Sequence, residues 1–508
     1  MKLYMRIRFS IFSLFFMTSC AALAAEQPNV VFILADDLGY GDVGANNSMP
    51  KIPTPAMDRL SVEGMRFTDA HSPSAVCTPT RYGILTGRYC WRTRLQRGVL
   101  WGLDRSLIDP ERSTIADVFK SKGYTTACIG KWHLGMDVYD DAGKVIESSR
   151  HFAKEAGADT ADYKRNVSNS PLAYGFDESF VIIGSLNMFP YTYVDGDRFT
   201  SAATEFQKKT KHAITIISGG PKAPDFDFED VIDRFNERAV KFIKESSKRK
   251  KPFFLYFPLT APHKPVLPTS AFKGKSKYGI YGDFVMQVDD AVGQVLKALD
   301  KAKVSDNTIV IVTSDNGSFM YRLDEAQQDH LQKYTAVGYH RKNHQSNGIW
   351  RGTKADIYEA GHRVPLLVRW PDTIKAGSVS DVTTTLTDWY ATLAAVTDYE
   401  LKDNEAEDSF SLLSVLRGDA RSNFKRAPII NHSISGMFAI RDGKWKLIAG
   451  NGSGGRQAPK GKPFERPYQL YDLAADPSET KSLISLHPEV AEALERKLEN
   501  IRNAGRSR

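Results

Sequence analysis

"NVVFILADDLGYGD" occupies Asn29–Asp42. Six apolar residues in succession, Val30–Ala35, run into two aspartates and a glycine-rich turn. A run of that length bounded by turn residues reads as a strand buried on both faces, with a loop at its C-terminal end. The pattern returns in "TTACIGKWHLG" (Thr125–Gly135), "PFFLYFPLTAPHKP" (Pro252–Pro265, its prolines forcing the loop), "NTIVIVTSDNG" (Asn307–Gly317) and "RVPLLVRWP" (Arg363–Pro371). Helical spacing falls between them, in "TPAMDRLSVEGMRF" (Thr54–Phe67), in "STIADVFKSKGY" (Ser113–Tyr124, capped by Ser113 or Thr114 and stopped at Gly123) and in "DFVMQVDDAVGQVLKALDKA" (Asp283–Ala302). Strands alternating with helices predict an α/β fold with a mainly parallel central sheet flanked by helices.

The polar residues fall at one edge of that sheet. Asp36, Asp37, Lys131, His133, His263, Asp315 and Asn316 all lie just past the C-terminal ends of predicted strands. Ligand sites in open α/β sheets gather there. Asp36-Asp37 and Asp315-Asn316 offer hard oxygen donors, suited to Ca²⁺ or Mg²⁺ and not to zinc. Either pair alone also suits a turn or a cap. Two such pairs, each after a core strand, favour a metal site. Lys131, His133, His263 and Lys354 (in "RGTKADIYEAGHRVP") add cations and proton carriers, which stabilise a transferring group with several negative oxygens.

The rest of the chain bounds the reading. Its 508 residues are 42% hydrophobic and 25% charged, which is ordinary globular composition with length for a large core. The net charge is +8, with Lys2, Arg6 and Arg8 at the N-terminus. A mild positive balance suits an anionic substrate. The densest basic run, "KRKK" (Lys248–Lys251), reads as a solvated helix end and not as a nucleic-acid patch. Residues 1–25 read as a signal peptide: a positive n-region, the apolar "FSIFSLFFM" and an Ala22-Leu23-Ala24 cleavage site. The expectation is an exported protein, periplasmic or secreted. A lipid anchor at Cys20 is the lesser alternative, and no stretch is long enough for a membrane helix. Residues 26–400 read as the catalytic unit, within which 137–250 look like an elaborate polar insertion. Residues 401–508 read as a smaller α+β unit, with a hairpin around Asp442-Gly443 and a closing helix, "HPEVAEALERKLENIRNA".

"AVCTPTRYGILTGR" (Ala75–Arg88) raises a separate question. Of four cysteines, Cys20 falls in the signal, and Cys90 and Cys128 read as buried thiols or a pair. Cys77 leads into a helix with Arg81 one turn on. A helix N-terminus favours an anion, and the plain reading is a low-pKa thiol nucleophile. A thiolate is ill matched to a hard metal, so other chemistry at position 77 fits better.

"CTPTR" followed by "ILTGR" resembles the C-x-P-x-R signature of the type I sulfatases. "NVVFILADDLGYGDVG", "GKWHLG", "APHKP", "VTSDNG" and "SNGIWRGTKADIYEAGHRVP" resemble that family's blocks in the same order, from about residue 28 to 396. The resemblance implies an alkaline-phosphatase-like sulfatase fold with a smaller α+β C-terminal subdomain. It implies that Cys77 is oxidised by a formylglycine-generating enzyme to Cα-formylglycine. One hydroxyl of its hydrate attacks sulfur and the other later expels sulfate. It implies Ca²⁺ (or Mg²⁺) held by Asp36, Asp37, Asp315, Asn316 and residue 77. By the same resemblance Arg81 and Lys131 hold the diol, His133 is the base, and His263 and Lys354 contact the sulfate and protonate the leaving oxygen. Ala360 stands where the family often has glycine.

The substrate is less legible. The arginine- and tryptophan-rich stretch Arg81–Gly102 resembles bacterial sulfatases grouped with N-acetylgalactosamine-6-sulfatases. The expected substrate is an O-sulfate on a galactose-type sugar of a sulfated glycan. Arg94 and Trp101, with His340, His344 and Asn347, are candidates for its mouth; a scaffold role for each is the plainer alternative. A phosphate or phosphonate monoester hydrolase of the same superfold, or a glycan-binding protein with Cys77 unmodified, are the rival readings. Oligomeric state leaves no sequence signal.

Overall fold

The computed structural model describes residues 27–47, 52–148, 161–210, 214–320, 344–419, 424 and 426–508. The expected signal peptide, Cys20 and His340 lie outside them.

Strand β1 (Asn29–Asp36) is buried along its whole length. Val30, Phe32 and Leu34 join one hydrophobic core, and Val31, Ile33 and Ala35 join another. The period-two alternation therefore feeds two apolar faces, which is why the strand reads as continuous. Parallel neighbours flank β1: β10 (Phe253–Pro262) on one side and β11 (Thr308–Ser314) on the other. Strand β4 (Thr125–Lys131) pairs in parallel with β10 and β5 (Glu178–Ile182) with β4. On one side the sheet extends through β6 (Val194–Asp195) and β7 (Arg198–Phe199). On the other it extends through β12 (Leu366–Arg369), β2 (Met65–Phe67) and β13 (Ser378–Ser380). Two short pairs stand apart, β3 (Ala70–His71) with β14 (Thr384–Thr385) and β8 (Glu205–Gln207) with β9 (Gly220–Lys222).

Helices cover both faces. On one lie α2 (Cys77–Thr86), α3 (Ile115–Ser121) and the helix Asp388–Val396, through Leu85, Phe119 and Trp389 among others. On the other lie α1 (Pro55–Glu63), α4 (Val231–Ser246) and α5 (Gly279–Ala302), through Leu60, Phe235 and Val292. Thr114 caps α3 in a reciprocal box with Asp117, and Gly123 turns the chain at φ 85°.

Four sequence expectations change in detail. "RVPLLVRWP" is a strand, but β12 runs antiparallel to β11. Helix α1 ends at Glu63, and Met65–Phe67 are strand, because Gly64 packs where a Cβ would meet the Val368 carbonyl oxygen at 2.2 Å. Pro258 and Pro262 lie inside β10; the register with β1 breaks between them, where proline offers no ladder N–H. The polar insertion 137–250 contains β5, part of the main sheet, and its cover α4. Cys90 and Cys128 are buried free thiols.

Strands β15 (Ile429–His432), β16 (Phe438–Asp442), β17 (Trp445–Ile448) and β18 (Gln469–Asp472) form an antiparallel meander. The loop between β16 and β17 is Gly443-Lys444, with Gly443 at φ 59°. The helix Pro488–Asn503 lays Ala491, Leu494 and Leu498 on this sheet. No helix among the described residues is long and apolar enough to cross a membrane.

Candidate active site

The order β11-β1-β10-β4 sets four parallel C-terminal ends side by side. Those ends deliver, in turn, Asp315-Asn316, Asp36-Asp37, His263 and Lys131-His133. Nine of the ten predicted chemical residues are at most 5% exposed, and the His263 side chain is 12% exposed.

Asp36 accepts a hydrogen bond at Oδ2 from Lys131 Nζ at 2.7 Å, while its buried Oδ1 has no hydrogen-bond donor. Asp37 sits at φ 67° and accepts at Oδ1 from Lys354 Nζ (2.5 Å) and Asn316 Nδ2 (2.7 Å). Burial pushes the Asp37 carboxyl up, but Lys354 and His263 outweigh it and hold it below the usual range. Asp315 takes Nε and Nη2 of Arg81 at Oδ2, at 3.2 and 2.8 Å. Its carboxyl is nonetheless pushed up, by burial and then by the nearby Asp36 charge. Arg81 also donates from Nη1 to the Lys131 carbonyl at 2.9 Å.

Cys77 opens α2, only 3% exposed, with Lys354 Nζ 3.5 Å from its Sγ. Burial raises the thiol above its ordinary value, and Lys131 and Lys354 offset this only in part. The low-pKa thiol suggested by the helix terminus is thus not what the fold builds. His133 sits at φ 55°, where Nε2 meets the Leu100 carbonyl oxygen at 2.8 Å. A carbonyl only accepts, so neutral His133 carries its proton on Nε2 and leaves the buried, unpartnered Nδ1 as a lone pair. Burial, then Lys131 and Arg81, hold this imidazole well below its usual value. His263 likewise donates from Nδ1 to the Lys264 carbonyl, leaving Nε2 3.8 Å from Asp37 Oδ2. Its pKa is also well depressed, by burial and then by Lys354.

The hydrogen-bond vacancies converge here. Asp36 Oδ1 and Asn316 Oδ1 are buried acceptors without a donor. Ligand atoms of Asp36, Asp37, Cys77 and His263 lie within 4.8 Å of one another. Uncompensated buried oxygens of this kind are costly unless a cation takes them. The donor set therefore fits a hard divalent ion.

Ser185 went unpredicted. Its Oγ lies 3.1 Å from Lys131 Nζ and 3.4 Å from His263 Nδ1. It follows β5 as the other site residues follow their strands. "ESFVIIGS" carries the same apolar-then-polar signal inside a stretch dismissed as an insertion.

The expected substrate residues divide. His344 and Asn347 are buried and engaged internally: His344 Nε2 with Asp42 Oδ1 at 2.8 Å, and Asn347 Oδ1 with the Ser318 N–H at 2.8 Å. They shape the loop beneath the site and do not line a mouth. Arg94 is exposed and donates from Nη2 to the carbonyls of Arg105 and Ser106. Trp101 is half-buried and follows Leu100, whose carbonyl orients His133. Arg88 and Arg92, in the same basic stretch, pair with Glu407 and Asp408.

A second group, His71, Glu359 and His362, also clusters its ligand atoms within 4.8 Å. Lys446 already fills it, with Nζ 3.0 Å from Glu359 Oε1 and 3.1 Å from His362 Nε2. An ammonium stands where a cation would bind.

A mostly parallel sheet with oxygen donors, cations and an N-terminal helix residue at one edge defines a hydrolase for anionic esters. The comparisons narrow the class. The Sulfatase family model matches residues 28–399, and one described as N-sulphoglucosamine sulphohydrolase, C-terminal, matches residues 352–504. N-acetylgalactosamine-6-O-sulfatase of Bacteroides thetaiotaomicron is 33% identical, over 94% of this chain and 94% of its own. Human arylsulfatase A is 29% identical over 95% of this chain and 89% of its own. A solved Bacteroides thetaiotaomicron structure, described under the metabolism of multiple glycosaminoglycans, is 31% identical with a TM-score of 0.79. It covers 94% of this chain and 100% of its own. The chain belongs to the sulfatase family and is a sulfuric ester hydrolase with the alkaline-phosphatase-like sulfatase fold.

Proposed function

We propose that this sulfatase removes an O-sulfate from a galactose-type sugar of a sulfated glycan, with residue 77 as formylglycine and a bound Ca²⁺. The similarity to the N-acetylgalactosamine-6-O-sulfatase supports the sugar class. The observation that carries the chemistry is the pair of unsatisfied buried oxygens, Asp36 Oδ1 and Asn316 Oδ1, at strand ends whose Asp36 and Asp37 gather ligand atoms within 4.8 Å of Cys77 at the start of α2. Mg²⁺ fits the same hard donors.

In this reading Asp36, Asp37, Asp315 and Asn316 hold the ion, which when bound neutralises sulfate oxygens as a Lewis acid. Formylglycine at 77 supplies an oxygen nucleophile compatible with that ion. Arg81 and Lys131 fix residue 77's surroundings and are themselves fixed by Asp315, Asp36 and Ser185. His133 receives a proton at Nδ1, the one ring position its backbone contact leaves open. Lys354 keeps its proton, because Asp37 and its other anionic neighbours outweigh burial, and it presents a fixed positive charge to the sulfate. His263 is neutral before substrate arrives; a sulfate beside Nε2 favours its charged form and readies a proton for the leaving sugar oxygen.

Export by a cleaved segment 1–25, a division near residue 400 into catalytic and smaller units, and maturation by a formylglycine-generating enzyme belong to the same proposal. The test starts with the mass of the tryptic peptide Phe67–Arg81 from protein made beside that maturation enzyme. Sulfate release from N-acetylgalactosamine 6-sulfate is then compared with turnover of 4-nitrophenyl phosphate. An aldehyde at 77 and sulfate release exceeding phosphate release uphold the reading. Phosphate preference would favour the monoester-hydrolase alternative. An unmodified thiol with intact sugar binding would favour the glycan-binding one.

A further inference from the structure

The catalytic charges balance among themselves. Asp36, Asp37 and Asp315 face Arg81, Lys131 and Lys354, each cation within 4 Å of a carboxylate. Two neighbouring cations have no such partner.

Lys264 follows His263 and is 9% exposed, its Nζ 4.7 Å from the centre of the Phe319 ring. Among the described residues no carboxylate lies within ion-pair distance of it. Arg456 comes from the loop between β17 and β18. That loop docks on the turn carrying Lys354: the Ile357 N–H donates to the Ser453 carbonyl at 2.8 Å, and the Arg456 N–H donates to Asp356 Oδ1 at 2.5 Å. At Gly455 a Cβ would stand 2.4 Å from the Ala355 carbonyl oxygen, so only glycine allows so close an approach. Arg456 is thereby held against the turn that carries Lys354. Its Nη1 is buried without a hydrogen-bond acceptor, and among the described residues its guanidinium forms no ion pair. The two heads feel each other: burial first, then Arg456, pushes the Lys264 ammonium down to about 7.

Asp37 acts on Lys264 and Asp356 on Arg456 only from beyond ion-pair distance, and two partly desolvated cations so placed are stabilised by an incoming anion. The ion and the balanced set already provide for the scissile sulfate. We infer that Lys264 and Arg456 form a second anion subsite, which selects substrates bearing a further sulfate or carboxylate beside the sulfate to be cleaved. The inference rests on the sulfatase reading and deepens it. The C-terminal unit supplies the specificity element, and the main sheet supplies the chemistry.

The test measures binding by calorimetry on the Cys77→Ala chain with calcium present. The probes are N-acetylgalactosamine 6-sulfate, its 4,6-disulfate, and a disaccharide joining a uronate to N-acetylgalactosamine 6-sulfate. Arg456→Gln and Lys264→Gln should each weaken at least one dianionic probe by roughly tenfold or more, the scale of a charge-assisted contact. The monosulfate should change by less than about threefold, and Arg456→Lys should recover part of the loss. Which dianionic probe responds identifies sulfate or carboxylate as the second group. Equal losses on all probes, no loss on any, or no binding of any probe would overturn the inference. Hydrolysis of 4-nitrophenyl sulfate by the matured parent chain separates the two levels: its failure strikes the sulfatase reading, while turnover without discrimination strikes the subsite alone.

Discussion

Two buried ionic clusters in this molecule have the same charge count and opposite character. At the strand ends, Asp36, Asp37 and Asp315 meet Arg81, Lys131 and Lys354. At the junction with the small sheet, Asp69, Glu359 and Glu479 meet Arg363, Arg441 and Lys446. Each sets three carboxylates against three permanent cations. The junction brings a cation to every carboxylate: Asp69 alone takes Arg363 at 2.6 Å, Arg441 at 2.8 Å through both oxygens, and His71 at 2.9 Å, and Glu479 Oε1, which lacks a hydrogen bond, has Lys446 Nζ at 2.8 Å. The strand-end cluster leaves Asp36 Oδ1, Asn316 Oδ1 and His133 Nδ1 open. Carboxyl titration does not separate the two. The directions divide within each cluster: burial is outweighed at Asp69 by Arg363 and at Glu359 by Lys446, which hold both well below the usual range, while Glu479 ends above it; at the strand ends Asp37 ends below and Asp315 above. Charge count does not distinguish a staple from a site; the open oxygen of the staple has an ammonium at 2.8 Å, whereas Asp36 Oδ1 has Arg81 Nη2 at 3.8 Å.

The sharpest way to break this comparison is at residue 77. Cys77→Ala should lower sulfate-ester turnover by roughly 10⁴-fold or more, the scale of losing a nucleophile, with the melting temperature unchanged. A large melting shift would mean that the strand-end cluster also carries stability. Lys446→Met should do the converse. It strands Glu359 and Glu479, and breaking a buried pair costs about 3–5 kcal/mol, read as a lower urea midpoint at constant slope.

Calcium sharpens the contrast at an intermediate scale. An ion binding only the folded state adds about 2.7 kcal/mol at a hundred times its dissociation constant. The parent chain should melt higher with calcium than with chelator, and Asp315→Asn should abolish the difference. A calcium response that persists in Asp315→Asn would place the ion elsewhere.

The smallest effect is the response to acid. Burial keeps His71, His362 and His432 neutral in the fold, His432 at about 4. An unfolded histidine binds its proton near 6.5, so the unfolded chain takes up more protons as pH falls below that value. Stability present above pH 6.5 is therefore lost on acidification, by about 1.4 kcal/mol per pH unit for each such group. Urea midpoints at pH 7.5 and 5.5 should show the fall, and His432→Gln should make it shallower.

Much of the strand-end cluster was legible in sequence because those members follow a buried apolar run: Asp36 after "VVFILA", Lys131 after "ACIG", Asp315 after "IVIVTS". Lys354 had no such context; it stood out as one cation among several, and its role came only through family resemblance. Ser185 was hidden because β5 lies in a polar stretch whose strand is only five residues long. The junction cluster was not legible at all. Asp69, Glu359 and Arg441 are ordinary charges in ordinary surroundings, brought together by pairings across hundreds of residues. Antiparallel β12 was likewise invisible, since an apolar run carries no direction. His344 and Asn347 look like mouth residues in a polar loop, and only the fold reveals that Asp42 and Ser318 claim them.

Burial of Cys77 has a consequence in time. The residue begins α2, with 3% of its surface exposed and Lys354 standing over its sulfur. A folded molecule offers a second protein little of that side chain. An enzyme that oxidises residue 77 must therefore meet the chain before α2 seats against the sheet, while it is still emerging or unfolded. On the proposed maturation, a race between the modifying enzyme and the chain's own folding decides which molecules carry formylglycine.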